Sequence, residues 1–210
     1  MKYLYIDTSS SFLYTAIVEN NQLIASISEE FGQKLSEMAL PKIVSMFEQL
    51  NITAKDIKKI IVVNGPGSFT GIRIGLTIAK VYAWSLNIPI TVITSLEAMS
   101  TSCDDKKVLV PIINARRGYV YAAIYNKEEE ILKPCHILFD DLRMKLNNIK
   151  EYEFISNDEF DNIDNIKKYE PDYIKIIEKY KDKEPINPHL VNPNYLKLTE
   201  AEESKIWYMK

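Results

Sequence analysis

The sequence predicts an α/β protein of two lobes, and three observations carry that prediction. A run of short strands opens the chain. A continuous apolar strand, a glycine turn and a long helix follow. Around residues 101–107 the texture changes to Thr-Ser-Cys-Asp-Asp-Lys-Lys, which marks a lobe boundary and divides the chain into 1–102 and 103–210, with the last helix or tail free to return to the first lobe.

The opening strands are Tyr3 to Ile6, Phe12 to Val18 and Leu23 to Ile27. Asn20-Asn21 separates the last two and signals a tight turn, so the three read as an antiparallel meander. A helix is expected from Leu35 to Leu50, with Leu40, Ile43, Val44, Phe47 and Leu50 as its buried stripe. Leu35, Met38, Ala39 and Met46 fall off that stripe. Pro41 either lies in the first helical turn or kinks a longer helix. Ile60 to Val63 reads as a buried parallel strand. The turn Gly65-Pro66-Gly67-Ser68-Phe69-Thr70-Gly71 then leads into a helix over 71–86. Ile90 to Ile93 is a strand, and Ser95 is the expected N-cap of the next helix. In the second lobe Val108 to Ile113 and Tyr119 to Tyr125 are strands, and a hairpin turn at Asn126-Lys127-Glu128 leads into Ile131. From Leu138 onward the chain reads as mostly helical and charged, with a solvated face.

Composition narrows the function. The 210 residues are 46% hydrophobic and 26% charged, enough for a core without disulfides or metals. A net charge of -3 lacks the basic bias of a protein that grips nucleic acid alone, so RNA contact is expected only within a complex. Cys103 and Cys135 lack metal or redox spacing and read as reduced thiols. No segment has the length of apolar chain that a bilayer requires, nor is there a leader pattern, and the expected location is the cytoplasm.

Chemistry-bearing patterns are few. The Gly65–Gly71 loop precedes a helix, which can make an anion site, but Ile72-Arg73 follow where a P-loop needs Lys-Ser/Thr. Its glycines therefore read first as backbone devices. Asp7-Thr8-Ser9 sits between two strands, where a carboxylate and hydroxyls can hold metal and phosphate or simply close a turn. His136 and His189 belong to no HxxxH or HExxH pair, so a peptidase-like metal centre has no ligand set. No catalytic residue and no metal ligand are assigned.

The second helix is apolar nearly all round, with Gly71, Gly75, Ala79 and Tyr82 in one row. Such a helix is covered on more than one side, either within its own lobe or by a partner. The off-stripe Leu35, Met38 and Met46 of the first helix favour the partner.

Several segments together resemble the TsaB/YeaZ family: Tyr5-Ile6-Asp7-Thr8-Ser9, Leu35-Ser36-Glu37 with Leu40-Pro41-Lys42-Ile43, Gly65 through Gly75, Asn114-Ala115-Arg116-Arg117-Gly118-Tyr119, and Asn192 through Lys197. The resemblance is strong over residues 1–125, thin over 135–185, and returns near Tyr195. It implies an actin/Hsp70-like (ASKHA) fold of two RNase H-like lobes with mixed sheets flanked by helices. It implies a non-catalytic subunit of the complex that makes threonylcarbamoyladenosine in tRNA, partnered with the catalytic subunit TsaD and the ATPase TsaE. Alone, such a chain would form a homodimer through the same helices. The partner-binding residues implied here are Leu35, Met38, Ala39, Met46, Gly71, Arg73, Ile74, Gly75 and Ile78. No cofactor would be held tightly, with ATP or ADP at most at the subunit junction. Gln33 and Asn114 depart from the histidine and aspartate frequent at those places, which weakens any metal or phosphate role there. The alternative function is a small actin-fold phosphotransferase using Asp7 and the Gly65–Gly71 loop.

Overall fold

The computed structural model describes residues 1–102, 107–127, 129–161, 163 and 165–197. Cys103 and the expected boundary beside it lie outside these residues.

Two five-stranded sheets carry the fold. The first comprises β1 (Lys2–Asp7), β2 (Phe12–Glu19), β3 (Gln22–Glu30), β4 (Ile57–Val63) and β5 (Ile90–Ile93), in the order β3-β2-β1-β4-β5. β1, β2 and β3 form the expected meander, closed between β2 and β3 by Asn20 and Asn21 at φ 50° and 64°. Asparagine tolerates that left-handed geometry better than most residues. β4 and β5 run parallel to β1, reached through α1 (Leu35–Gln49) and α2 (Phe69–Leu86). Along β1, Leu4 and Ile6 face a core shared with both helices, whereas Tyr5 faces the opposite side.

The second sheet holds β6 (Val108–Asn114), β7 (Tyr119–Tyr125), β8 (Glu130–Leu138), β9 (Tyr152–Ser156) and β10 (Lys167–Lys168), in the order β10-β9-β6-β7-β8. Read from the other edge, this repeats the first sheet. The first strand of each lobe is central, two antiparallel strands lie on one side, and two parallel strands lie on the other. α4 (Phe139–Leu146) packs on one face through Leu142 and Leu146. The mostly helical reading after Leu138 is thereby corrected. β9 escaped notice because it is five residues long, and only its last three, Phe154, Ile155 and Ser156, are buried.

Between the sheets lies a shared core rich in tyrosine: Tyr5, Tyr14, Tyr125, Tyr169, Tyr173 and Tyr180, with α3 (Ser95–Met99) and α5 (Tyr173–Tyr180) among the elements that enclose it. α5 packs on β1, β2 and β3, so the chain returns to the first lobe after the second is complete. Ile186 then pairs with Ile90, and Val191 is buried in the first lobe's core.

Two local expectations change. The N-cap of α3 is Thr94, whose hydroxyl accepts from the Glu97 amide while the Glu97 carboxylate accepts from the Thr94 amide. Ser95 is instead the first helical residue, and its hydroxyl donates to the Pro66 carbonyl. In α1 the buried face is Leu35, Ala39, Ile43, Met46 and Phe47, while Leu40 and Val44 are exposed. Two adjacent i, i+4 rows compete on this helix. The row Leu35-Ala39-Ile43-Phe47 is apolar throughout, but Ser36-Leu40-Val44-Glu48 begins and ends on polar groups. The sheet takes the wholly apolar row. Pro41 lies inside the helix.

Candidate interaction face and interlobe cleft

The strand-to-helix loop after β4 is built as a brace. The Ser68 amide donates to the Ser9 carbonyl at 2.6 Å, and the Ser68 hydroxyl caps α2 by accepting from the Gly71 amide at 3.2 Å. The Thr8 hydroxyl donates to the Gly71 carbonyl at 2.7 Å and accepts from the Gly75 amide at 2.9 Å. A Cβ at Gly71 would stand 2.1 Å from the Thr8 carbonyl oxygen, and one at Gly75 would stand 2.4 Å from the Thr8 hydroxyl. The small-residue row of α2 therefore admits the end of the chain's own β1, not a partner helix. Gly71 and Gly75, expected as partner contacts, are both buried against the chain's own Thr8. This packing also gives Thr8 and Ser9 structural roles.

Leu35, Ala39 and Met46 are likewise buried in their own lobe, Leu35 at 4% exposure, so their side chains are not surplus apolar surface. Met38, Ile74 and Ile78 are half-buried and Arg73 is exposed. The uncovered apolar side chains are others. Leu40 (45% exposed) and Val44 lie on α1, and Phe69 (54%), Val81 and Trp84 (64%) lie on α2. Between the helices runs a groove of about 490 Å³ lined by Ser36, Leu40, Phe69, Arg73, Ile74 and Ile78, among others.

The returning tail bounds this face. The Lys80 ammonium donates to the Val191 carbonyl at 2.9 Å, the Asn194 amide donates to the Asn64 carbonyl at 2.7 Å, and Arg73 Nε donates to the Tyr195 hydroxyl at 2.8 Å. Tyr195 stacks on Phe69 at 5.1 Å between centroids, and the Arg73 guanidinium sits 3.8 Å from the centre of the Phe69 ring. Sequence reading had no access to this stack, because Arg73 and Tyr195 are 122 positions apart.

A second concavity, of about 1000 Å³, opens between the lobes. Asp7, Ser9, Gly67, Ser68, Asn114, Arg116, Tyr121, Asp158 and Lys168 are among its walls. Asp7 is buried. Its carboxylate accepts from the Ser9 amide at 2.8 Å and from the Tyr5 hydroxyl at 3.3 Å. Burial pushes this carboxyl above its usual range, against the lowering by those hydrogen bonds. Tyr14, in the same wall, is pushed up to about 12, chiefly by burial. Asp7 and the glycine loop do meet in one cleft; the Ser68 and Gly71 amides are bonded to the Ser9 carbonyl and the Ser68 hydroxyl, which leaves the Phe69 and Thr70 amides at the start of α2. Among the described residues no three His, Cys, Asp or Glu side chains gather to hold a metal ion. Nor is any helix among them long and apolar enough to cross a membrane. His136 lies against Tyr119 and His189 against Trp84, far from Asp7 in the fold's element order. Cys135 is a free thiol.

The duplicated sheet order defines the class: an actin/Hsp70-like fold of two RNase H-like lobes. Solved structures agree. YeaZ from Pseudomonas aeruginosa superposes with a TM-score of 0.73 at 17% identity, covering 93% of this chain and 99% of that one. A profile described as "TsaD: tRNA N6-adenosine threonylcarbamoyltransferase" matches residues 23–174. The "tRNA threonylcarbamoyladenosine biosynthesis protein TsaB" of Bacillus subtilis is 31% identical over 96% of both chains. That of Buchnera aphidicola subsp. Acyrthosiphon pisum is 30% identical over 79% of this chain and 80% of its own. The chain belongs to the TsaB/YeaZ family, within the wider TsaD-related group.

Proposed function

We propose that this chain acts in tRNA threonylcarbamoyladenosine biosynthesis as a non-catalytic subunit, and that it holds a TsaD-like catalytic partner on the α1–α2 face. The observation that carries the reading is the groove between these helices. It is flanked by exposed Leu40, Val44 and Phe69 and by the half-buried Ile74 and Ile78. Apolar side chains beside an arginine and an aromatic ring are the composition of interface hot spots. Family membership supports a TsaD-like subunit as the partner. In this reading a TsaE-like ATPase joins the assembly, the chain pairs with its own copy when alone, and ATP or ADP sits only at the subunit junction.

The test is to place a charge in the groove by Leu40→Asp and, separately, Ile74→Asp. Each is expected to weaken binding to the TsaD-like subunit by about 2 kcal/mol, roughly 30-fold, in titration calorimetry. Circular dichroism should show Leu40→Asp folded, since Leu40 is exposed and lies outside the lobe's core. Unchanged affinity in both variants would refute the surface.

The phosphotransferase reading keeps one observation in its favour, the meeting of Asp7 with the glycine loop in the cleft. The bonding of the Ser68 and Gly71 amides to Ser9 and Ser68 leaves such a loop fewer donors for phosphate and argues against it. Sustained ATP turnover by the pure chain, abolished by Asp7→Ala, would reverse the order of the two readings.

A further inference from the structure

The β6–β7 turn is an unusual place for two arginines. Arg116, Arg117 and Gly118 have φ of 65°, 53° and 78°, three successive left-handed residues. Hairpin turns of this hand favour asparagine and glycine, because a side chain with a Cβ and a long stem is strained there. The geometry is fixed rather than loose. The Tyr119 amide donates to the Arg116 carbonyl at 3.0 Å, the Ala115 amide to the Tyr119 carbonyl at 3.0 Å, and the Arg116 amide to the Asn114 side chain at 2.8 Å. The Phe139 amide ties the Gly118 carbonyl at 2.9 Å. Both arginines are exposed, and neither guanidinium forms an ion pair among the described residues.

Beside the turn stands a backed aromatic ring. Tyr119 lies parallel to His136, 4.6 Å between centroids and 7° between planes, and His136 in turn touches Tyr121 at 5.4 Å. Tyr119 is nonetheless 37% exposed. One face of the ring is thus backed by His136 while the residue keeps part of its surface open, next to two arginines that form no ion pair among the described residues.

We propose that Tyr119, Arg116 and Arg117 form a docking site for an unpaired stretch of RNA, a base stacking on Tyr119 and its flanking phosphates meeting the arginines. The chemistry matches the sites that bind single strands, where an aromatic face takes any base and adjacent cations take the backbone. A duplex fits less well, since its bases are already stacked. Arg116 also belongs to the wall of the interlobe cleft, but Asp7, Glu30, Asp158 and Glu159 line that cleft too, so the strand's path runs from Arg116 towards Arg117 and Tyr119 and not into it. The net charge of -3 agrees with a local site that adds to an assembly's affinity and does not bind RNA tightly alone. The inference rests on the proposed role in a tRNA-modifying complex.

The test uses the chain assembled with its TsaD-like and TsaE-like subunits, with an unmodified tRNA transcript as probe. Tyr119→Ala should weaken tRNA binding about 10-fold, and Tyr119→Phe should restore it. Arg116→Asn with Arg117→Asn, which suits the left-handed turn, should weaken binding and flatten the slope of log affinity against log salt by roughly 1.4. Affinity for the TsaD-like subunit, measured separately by calorimetry, should not move in any variant. Unchanged tRNA affinity in an intact assembly overturns the site. A drop in subunit affinity with Tyr119→Ala makes the surface a protein contact and also overturns it. Competition by free AMP at matched nucleotide concentration would assign the ring to a mononucleotide and overturn the RNA. If the unaltered chain joins no such assembly, the proposed function fails and takes the site with it.

Discussion

Gly71→Ala tests the brace between α2 and β1. The added methyl would lie 2.1 Å from the Thr8 carbonyl oxygen and 3.2 Å from the Ser68 Cβ and hydroxyl. The first contact is more than 1 Å short of ordinary packing, and its partner is backbone in the middle of the sheet's exit, so neither side yields by rotating a side chain. The start of α2 must lift. Overpacking of this kind costs up to about 3 kcal/mol. Lifting the helix also stretches the Thr8 hydroxyl's bonds to the Gly71 carbonyl and the Gly75 amide, a further cost of about 1 kcal/mol. Alanine's helix propensity returns about 1 kcal/mol. The net loss is about 3 kcal/mol, or a Tm lowered by roughly 6–12 °C for a chain of this length. Calorimetric or fluorescence melting reads it directly. Thr77→Ala, on the solvated side of the same helix, is the control and should leave Tm unchanged or slightly raised. A Gly71→Ala protein that melts at or above the parent temperature would refute the reasoning and leave the glycine row free for a partner.

Two other outcomes follow from burial. Leu35→Ala should cost about 2–5 kcal/mol in urea unfolding and Leu40→Ala less than about 1, because only Leu35 is enclosed by Leu13 and Ala39; the reverse order would restore Leu40 to the core. Asp7→Asn tests the buried carboxyl. Its folded value is raised, so the native state holds the proton more tightly than the unfolded chain, and its contribution to stability falls as pH rises from the ordinary carboxylate range, about 3.9, through the raised value. The variant should therefore gain on the parent between pH 4 and pH 8, and a stability difference that is flat across that range would sink the claim.

Much of the first lobe was legible because its signals are local. Asn20-Asn21 announces a turn, the apolar run ending at Val63 announces a buried strand, and three glycines within seven residues announce a strained loop before a helix. The exposed face of α1 and α2 was only half legible. Sequence showed that α1 and α2 carry more apolar surface than one side can bury, but not which row the sheet would take. Leu40 and Val44 changed places with Leu35 and Ala39 because two rows differ only at their ends. The glycine row was readable as room for a close approach, yet nothing local says whether the visitor is a partner helix or the chain's own β1. The stack of Tyr195 on Phe69 is a long-range fact that no window of sequence contains, whereas the return of the tail and the two like-built lobes were open to expectation only through the family resemblance.

The contacts of the glycine loop bear on both of the functions proposed above. A loop that cradles phosphate must leave the first amides of its helix free and its glycines facing open space. Here Ser68 donates to Ser9, Gly71 to Ser68, and Gly67 and Gly71 press on the backbone of Ser9 and Thr8. The loop has become a rivet. What it fixes is α2, whose buried row lies on β1 and β4 while residues 186–197 strap another flank through Lys80 and Arg73. The outer row Phe69, Arg73, Thr77, Val81 and Trp84 remains exposed, although Tyr195 touches Phe69 and Arg73 at one end and His189 touches Trp84 at the other. A partner that docks there spends little free energy on ordering it, which favours affinity without enlarging the surface. The bonds of the glycine loop to β1 and of the tail to α2 thus make this helix a rigid one.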